Sequence, residues 1–127
     1  MEINRTKQRI DKTGEVFTST ELVNEILDKV PRYFFTDCSK TICEPSVGEG
    51  VFLVEILKRR IENNLDPIES LSTLYGVDLM PDNVEACRKN LLSIVGNNEK
   101  TASIVNNNIV CANSLEFDFN FNEENNE

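Results

Sequence analysis

The stretch EPSVGEGVFLVEIL, residues 44–57, determines how the rest of the chain is interpreted, because it joins a strand to a helix through a loop with two glycines. The residues KTICEPS at 40–46 predict a short buried strand, and the apolar spacing over 51–64 predicts a helix. Gly48 and Gly50 allow a tight turn and let a ligand approach the main chain. The free N–H groups that open the helix face the same place. The loop is therefore a candidate binding site, although a plain strand-to-helix turn explains these residues as well.

Helices and strands alternate on both sides of this stretch. Thr18 and Glu21 are spaced as a capping box at the start of a helix, and Pro31 marks the end of that helix. Pro81 marks the start of a later helix. Gly96 and the segment NNEKTAS are expected to break the chain after it. The predicted segments are a helix at about 19–30, a loop at 32–38, a helical turn at about 66–71, a strand at 73–79, a helix at 81–95 and a strand at 108–114.

This order of elements predicts an α/β fold. Continuous apolar strands alternating with helices are typical of a parallel sheet that is covered on both faces. We expect a truncated doubly wound, Rossmann-like sheet of three or so strands with helices on both faces. One domain is expected over 13–121, between a flexible arm at 1–12 and a disordered acidic tail at 122–127.

Composition limits the possible functions. The net charge of −9 argues against a free-standing nucleic-acid-binding protein, which needs a basic face. The four cysteines show no C-x-x-C pair and the chain has no histidine, so we expect reduced, buried thiols and no metal site. No apolar stretch is long enough to span a membrane, and the first residues do not resemble a signal segment, which predicts a cytoplasmic protein.

Polar residues end each of the predicted strands. Glu44 would repel a polyphosphate but suits a ligand with a cation, and Asp78 can accept hydrogen bonds from ribose hydroxyls. Leu79 and Met80 could cover an adenine ring, and the amide of Asn113 could bind a base edge. Asp78 as a helix cap and Asn113 as a turn residue are the alternative interpretations. A ligand with an ammonium group, a ribose and an adenine fits all three strand ends, and S-adenosylmethionine is such a ligand.

Four motifs in order resemble the cofactor region of the adenine-specific (N6) DNA methyltransferases. TGEVFTSTELV resembles G-x-x-F/Y-T-P with Ser19 in place of proline, and EPSVGEGVFL resembles D-P-S/A-C-G-S-G-x-F/L with Glu44 and Val47 as departures. LYGVDLMPDNVEACRKNL resembles the second cofactor motif, and NIVCANSLEFDF resembles the third, where Asn113 stands at a usual aspartate. The resemblance covers about Thr13 to Phe119 and implies the class I methyltransferase fold.

The resemblance also implies roles for individual residues around S-adenosylmethionine. Phe17 and Thr18 would lie near its methionine end, and Asp78 would hold its ribose. Asn113 would stand at the adenine amino group, where an uncharged amide implies weaker binding. The remaining cofactor-binding positions implied are Glu44, Pro45, Gly48 and Gly50 around the amino-acid part and Leu79 or Met80 against the adenine.

The catalytic motif of that family, N/D-P-P-Y/F, does not occur in this sequence, whose prolines at 31, 45, 67 and 81 are never adjacent. The resemblance therefore implies a cofactor-binding part that is inactive alone and binds DNA weakly or through a partner. It also implies an unpaired first strand, which could be covered by self-association, by a second polypeptide or by the segment EFDFNF (116–121). The alternatives are a non-catalytic S-adenosylmethionine-binding protein, a methyltransferase for another amide or amine, and a purely structural interaction module.

Overall fold

The computed structural model describes residues 18–119. In chain order its elements are α1 (Thr20–Leu27), α2 (Tyr33–Thr36), β1 (Ile42–Glu44), α3 (Val51–Glu62), α4 (Pro67–Ser72), β2 (Leu74–Asp78), α5 (Pro81–Val95), α6 (Glu99–Asn108) and β3 (Ile109–Cys111). The expected arm at 1–12, the expected tail at 122–127 and the end of the EFDFNF segment lie outside the described residues. Within that segment, residues 117–119 form no strand.

The three strands form one parallel sheet in the order β1-β2-β3. Ile42 is opposite Leu74, and Gly76 is opposite Ile109. The predicted fold class, a truncated doubly wound parallel sheet, is confirmed. Strand β2 lies between the other two strands, and all five of its residues are buried.

The hydrophobic core lies on the sheet face toward which Ile42, Leu74 and Ile109 point. The strand order advances in one direction, so two right-handed crossovers bring their helices to the same face. The helices contribute Val23, Leu27, Phe35, Leu53, Ile56, Leu57, Leu71, Val84, Cys87, Leu91 and Val105 to the core.

Several predicted boundaries and loops were wrong, and α1 ends at Leu27 instead of at about residue 30. Helix α1 is capped by Ser19, whose Oγ accepts from Leu22 N at 3.2 Å, so the cap lies one residue after Thr18. The short helix α2 occupies part of the expected loop at 32–38. Helix α6 begins within the expected break after Gly96, because Asn98 and Thr101 form a reciprocal capping box that starts a helix in a polar sequence.

Arg60 holds together the end of the sheet opposite the glycine loop. It lies in the last turn of α3, and its side chain is fully buried. The guanidinium donates to the carbonyls of Phe34, Lys40 and Ser70 and to Thr73 Oγ1 at 2.7–2.9 Å. Burial lowers the pKa of Arg60, while the nearby Cys38 and Asp37 raise it.

The cysteines only partly follow the expectation of reduced, buried thiols. All four are free thiols. Cys87 is buried, Cys38 is half-buried, and Cys43 and Cys111 are exposed. The two exposed cysteines lie on the outer strands β1 and β3, which have a sheet neighbour on one side only among the described residues. The thiols of Cys43 and Cys111 are therefore open to solvent at the two sides of the sheet.

Candidate functional site

The predicted site residues of the three strands meet at the carboxyl edge of the sheet. Glu44 lies opposite Gly76, and Asp78 lies opposite Cys111. Two hydrogen bonds extend the pairing beyond the strands: Val47 N donates to Val77 O, and Ala112 N donates to Asp78 O, both at 2.9 Å. The glycine loop therefore lies across the end of β2, next to the turn that follows β3.

The two glycines of the loop have different surroundings. Gly50 has a φ of +87°, and a Cβ there would lie 2.5 Å from Cys87 Sγ, so its missing side chain lets α3 start against α5. Gly48 has a φ of +58°, and a Cβ there would meet nothing within 4 Å. The backbone at Gly48 is thus open to an approaching group, whereas Gly50 is needed for packing.

Val47 fixes the position of the loop. Its side chain is 7% exposed and lies against Gly76 of β2, where a Cβ would come 2.7 Å from Val47 Cγ2. The resemblance gives this position as a departure from the usual cysteine. A valine fills the same space with apolar atoms, so the departure is compatible with an ordered loop.

The Asp78 carboxylate connects the loop to helix α5. Oδ2 accepts from Gly48 N at 2.8 Å, and Oδ1 accepts from Met80 N at 2.9 Å and from Asn83 Nδ2 at 3.2 Å. Asp78 is 7% exposed, and no ion pair among the described residues includes it. Three neutral donors therefore hold this negative charge. The hydrogen bond from Gly48 N brings the predicted glycine loop and the predicted ribose-binding acid together in one site.

Glu44 is a half-buried carboxylate at the start of the same loop. Burial raises the pKa of Glu44, and the N–H of Ser46, which donates to Oε1 at 3.2 Å, acts in the opposite direction. No cation pairs with Glu44 among residues 18–119. A carboxylate in this position would be stabilised by a cationic ligand.

The other predicted site residues vary in their exposure. Leu79 is 58% exposed and follows the end of β2, and Met80 is half-buried with its N–H bonded to Asp78. Asn113 is exposed, and its Oδ1 accepts from Leu115 N at 3.0 Å, so it forms the turn that the alternative interpretation expected. Pro45 is exposed in the loop, and Thr18 is half-buried just before the cap of α1. Phe17 lies outside the described residues.

Sequence reasoning missed Asn83, which is fully buried and contacts Asp78. Its position was detectable: Asn83, Cys87 and Leu91 are spaced at i, i+4 and i+8, and all three are buried. An amide on the apolar stripe of a helix needs a polar partner inside the protein. That pattern could have indicated that Asn83 pairs with Asp78, which ends the strand just before the helix.

No group of three or more His, Cys, Asp or Glu side chains is arranged to hold a metal ion in the part of the chain that the structure describes. None of the helices described is both long and apolar enough to cross a membrane.

Comparison with known proteins agrees with the resemblance in the sequence. The sequence profile of the N-6 DNA Methylase family matches residues 3–124. The chain is also similar to the Type II methyltransferase M.VspI of Vibrio sp. (strain 343), with 30% identity over 87 residues, which are 68% of this chain and 18% of that protein. No solved structure matches the chain. Because the family profile covers nearly the whole chain, the chain belongs to the N-6 DNA methylase family.

Proposed function

We propose that this chain binds S-adenosylmethionine at the carboxyl edge of its sheet and is the cofactor-binding part of a DNA adenine-N6 methyltransferase. The observation that carries the proposal is the 2.8 Å hydrogen bond between Gly48 N and Asp78 Oδ2. It joins the open glycine of the loop to the acid at the end of β2, beside the N-terminus of α3. Family membership supports the same assignment.

The residues present fit this cofactor. The Glu44 carboxylate, half-buried without a cation among the described residues, would attract the ammonium group. The open backbone at Gly48 would accommodate the amino-acid part, Asp78 would accept a hydrogen bond from the ribose, and the exposed Leu79 would lie against the adenine. Pro45, Gly50, Met80 and Asn113 complete the proposed site, with Phe17 and Thr18 assigned to it by the resemblance alone. When bound, the cofactor supplies a methyl group activated by its sulfonium.

We further propose that this sequence does not transfer the methyl group by itself. The N/D-P-P-Y/F motif that would receive a flipped adenine does not occur in it. The proposed role of the residues described above is to bind and orient the cofactor. A role in DNA methylation agrees with the expected cytoplasmic location.

The proposed partner is a second copy of the chain or a second polypeptide that pairs along β1. Among the described residues, β1 is paired with β2 only. DNA would be bound through that partner, because a net charge of −9 opposes direct binding to phosphates. The matched part of the chain spans 18% of the length of the relative M.VspI.

Calorimetric titration of the full chain with S-adenosylmethionine tests the binding proposal. We expect saturable binding that weakens several-fold in Leu79→Ser, because roughly 1 kcal/mol of apolar contact with the adenine is lost. Ile26→Ser is the matched control, since Ile26 is an exposed apolar residue of α1 at 40% exposure. Absence of binding by the unmodified chain would refute the proposal.

Methyl transfer is tested separately with labelled S-adenosylmethionine and adenine-containing duplex DNA. We expect no transfer by the chain alone, and transfer after addition of a polypeptide that carries N/D-P-P-Y/F. Transfer by the chain alone would contradict the proposed inactivity. Cofactor binding without transfer in any mixture would favour the alternative of a non-catalytic S-adenosylmethionine-binding protein, which the charge of −9 supports.

A further inference from the structure

Strand β3 is an outer strand of the sheet, and its register shows which backbone groups face away from β2. Asp78 lies opposite Cys111, and Ala112 N donates to Asp78 O at 2.9 Å. Neighbouring residues of a strand direct their N–H and C=O groups to opposite sides, so the backbone groups of Ile109 and Cys111 point outward. An uncovered strand edge of this kind is a template for pairing with another chain.

Arg88 of α5 covers the first of these outward positions. Its Nε and Nη2 donate to the carbonyl oxygen of Ile109 at 3.0 and 2.5 Å, and Nη2 also donates to Asn106 O at 3.4 Å, in the last turn of α6. A guanidinium suits this place, because the C-terminus of a helix attracts a cation. The N–H of Ile109 is occupied as well, since it donates to Val105 O. Neither backbone group of Ile109 is therefore available to a further strand.

Little of the β3 edge remains beyond this point. Cys111 is the last residue of β3, and the chain turns just after it, where Asn113 accepts from Leu115 N through Oδ1 and from Glu116 N through its carbonyl oxygen. The outward groups of one residue are too few for a strand, because strands in sheets usually pair over at least about three residues. The β3 edge is thus closed to pairing while Arg88 covers it.

The outer edge of β1 is open by comparison. Ile42 N donates to Thr73 O, so Cys43, the middle residue of β1, directs its N–H and C=O groups away from β2. No hydrogen bond to either group is found among residues 18–119. The sheet therefore has one closed edge and one open edge.

We propose that Arg88 prevents the sheet from growing at β3 and thereby limits association of the chain to a closed pair, joined β1 to β1 across a two-fold axis. The inference rests on the proposed pairing along β1 and commits it to a second copy of the chain. In an antiparallel pair centred on Cys43, the N–H of each Cys43 donates to the carbonyl of the other. One contact thus satisfies the outward groups of both copies, and the two outer edges of the pair are both β3 edges covered by Arg88.

Without Arg88 the same chain would have two open edges. Copies could then pair β3 to β1 or β3 to β3 as well as β1 to β1. A contact that joins unlike edges does not close on itself, so assemblies would grow as copies are added. Arg88 therefore determines whether association along the sheet stops at a pair or continues.

Light scattering of the full chain over a range of concentrations tests the inference. For the unmodified chain we expect the mass to rise with concentration and to level off at a pair. Arg88→Leu, checked for folding by circular dichroism, should pass the mass of a pair and continue to rise. The double variant Arg88→Leu, Cys43→Pro should reach no more than a pair, because the β1 edge is then closed in place of the β3 edge.

Lys89→Leu is the matched control, since it makes the same change of charge at the next position of α5. Lys89 is 75% exposed, and its Nζ lies 4.0 Å from Glu85 Oε1. We expect this variant to level off at a pair like the unmodified chain.

Three results would overturn the inference. The first is a mass of Arg88→Leu that levels off at a pair, and the second is growth that Cys43→Pro does not stop. If Arg88→Leu does not fold, the unmodified chain decides: levelling off at a pair supports the inference, whereas growth beyond a pair overturns it. The third is an unmodified chain that is monomeric at every concentration, which also refutes the proposed self-association. The titration with S-adenosylmethionine reports separately on the proposed cofactor site.

Discussion

Two glycines separated by one residue differ in what surrounds them. Gly50 combines a φ of +87° with contact to Cys87, whereas Gly48 has a φ of +58° and open space. We expect Gly50→Ala to lower the free energy of unfolding by roughly 2–4 kcal/mol, since backbone strain and overpacking add. Gly48→Ala should lower it by about 1–2 kcal/mol through strain alone. Urea unfolding followed by circular dichroism measures both.

A second substitution shows whether Cys87 causes the larger loss of stability that we expect for Gly50→Ala. Cys87→Ala removes the Sγ atom that a Cβ at position 50 would approach to 2.5 Å. The double variant Gly50→Ala, Cys87→Ala should therefore be more stable than the sum of the single changes indicates. Strict additivity, or an equal loss for the two glycine variants, would contradict this account of the loop.

Glu44 should make stability depend on pH. Burial raises the pKa of Glu44 above its ordinary value of 4.5, so the folded chain keeps this proton at a pH where the unfolded chain has lost it. The free energy of unfolding should consequently fall as pH rises from that ordinary value through the raised one. Glu44→Gln removes the effect, and we expect it to be more stable than the unmodified chain near about pH 7 and equal to it below about pH 4.

Thermal unfolding across this pH range provides the measurement. Glu25→Gln, a change on an exposed side chain of α1, controls for the loss of one negative charge. The same Glu44→Gln variant should bind S-adenosylmethionine more weakly, because the proposed partner of the ammonium group is gone. A variant that is less stable than the unmodified chain near about pH 7 would show that the carboxylate is not disfavoured by burial.

Helix α6 begins with a reciprocal capping box. Asn98 Oδ1 accepts from Thr101 N, and Thr101 Oγ1 accepts from Asn98 N, both at 3.0 Å. We expect Asn98→Ala to lower the free energy of unfolding by about 1 kcal/mol. Hydrogen exchange should become faster over Glu99–Asn108 first. Ser103→Ala, at an exposed position of the same helix, should change stability by less than about 0.5 kcal/mol, and equal effects of the two variants would refute the role of the cap.

The elements that the sequence predicted best have both periodicity and a boundary signal. Helix α5 runs from Pro81 to Val95 as expected, because Pro81 starts it and Gly96 ends it. Helix α6 was missed because its sequence EKTASIVNNN is mostly polar and its buried side is partly made of Thr101 and Asn108. Thr101 donates to the nearby carbonyl of Gly96, and Asn108 donates to the carbonyls of Ser72 and Leu74, which are distant in the sequence.

The candidate site, like the helices and strands, was predicted from the sequence only in part. The sequence predicted the glycine loop and Asp78 as site residues because turns and strand ends have local signals, and a parallel sheet brings its carboxyl ends to one edge. The bond between Gly48 and Asp78, and the burial of Asn83 beside them, depend on how two helices pack. The separate roles of the two glycines likewise follow from Cys87, which is distant in the sequence.

Strand β1, one of the two outer strands of the sheet among residues 18–119, has a backbone that can pair further. Ile42 N donates to Thr73 O, and neighbouring residues of a strand direct their N–H groups to opposite sides, so the N–H of Cys43 points away from β2. We expect the chain to associate along this edge, with a mass by light scattering that rises with concentration. Cys43→Pro should reduce association, because proline removes the outward donor and is tolerated on an edge strand.

Cys43→Ser is the matched control, since it keeps the N–H group and also removes the thiol. We expect it to associate like the unmodified chain, which would exclude an intermolecular disulfide as the cause. A constant monomer mass for the unmodified chain at all concentrations would contradict association of the chain with itself. Equal association of the proline and serine variants would place the contact elsewhere on the surface.

The contact between Val47 and Gly76 has a consequence for the variation of this protein among its relatives. The two side-chain positions share one volume, in which a Cβ at 76 would come 2.7 Å from Val47 Cγ2. A larger residue at 76 would be accommodated only with a smaller one at 47, because alone it would push Val47 and the neighbouring Gly48 out of place. Substitutions at these two positions should therefore occur together among relatives, so that the summed volume of the two side chains stays nearly constant.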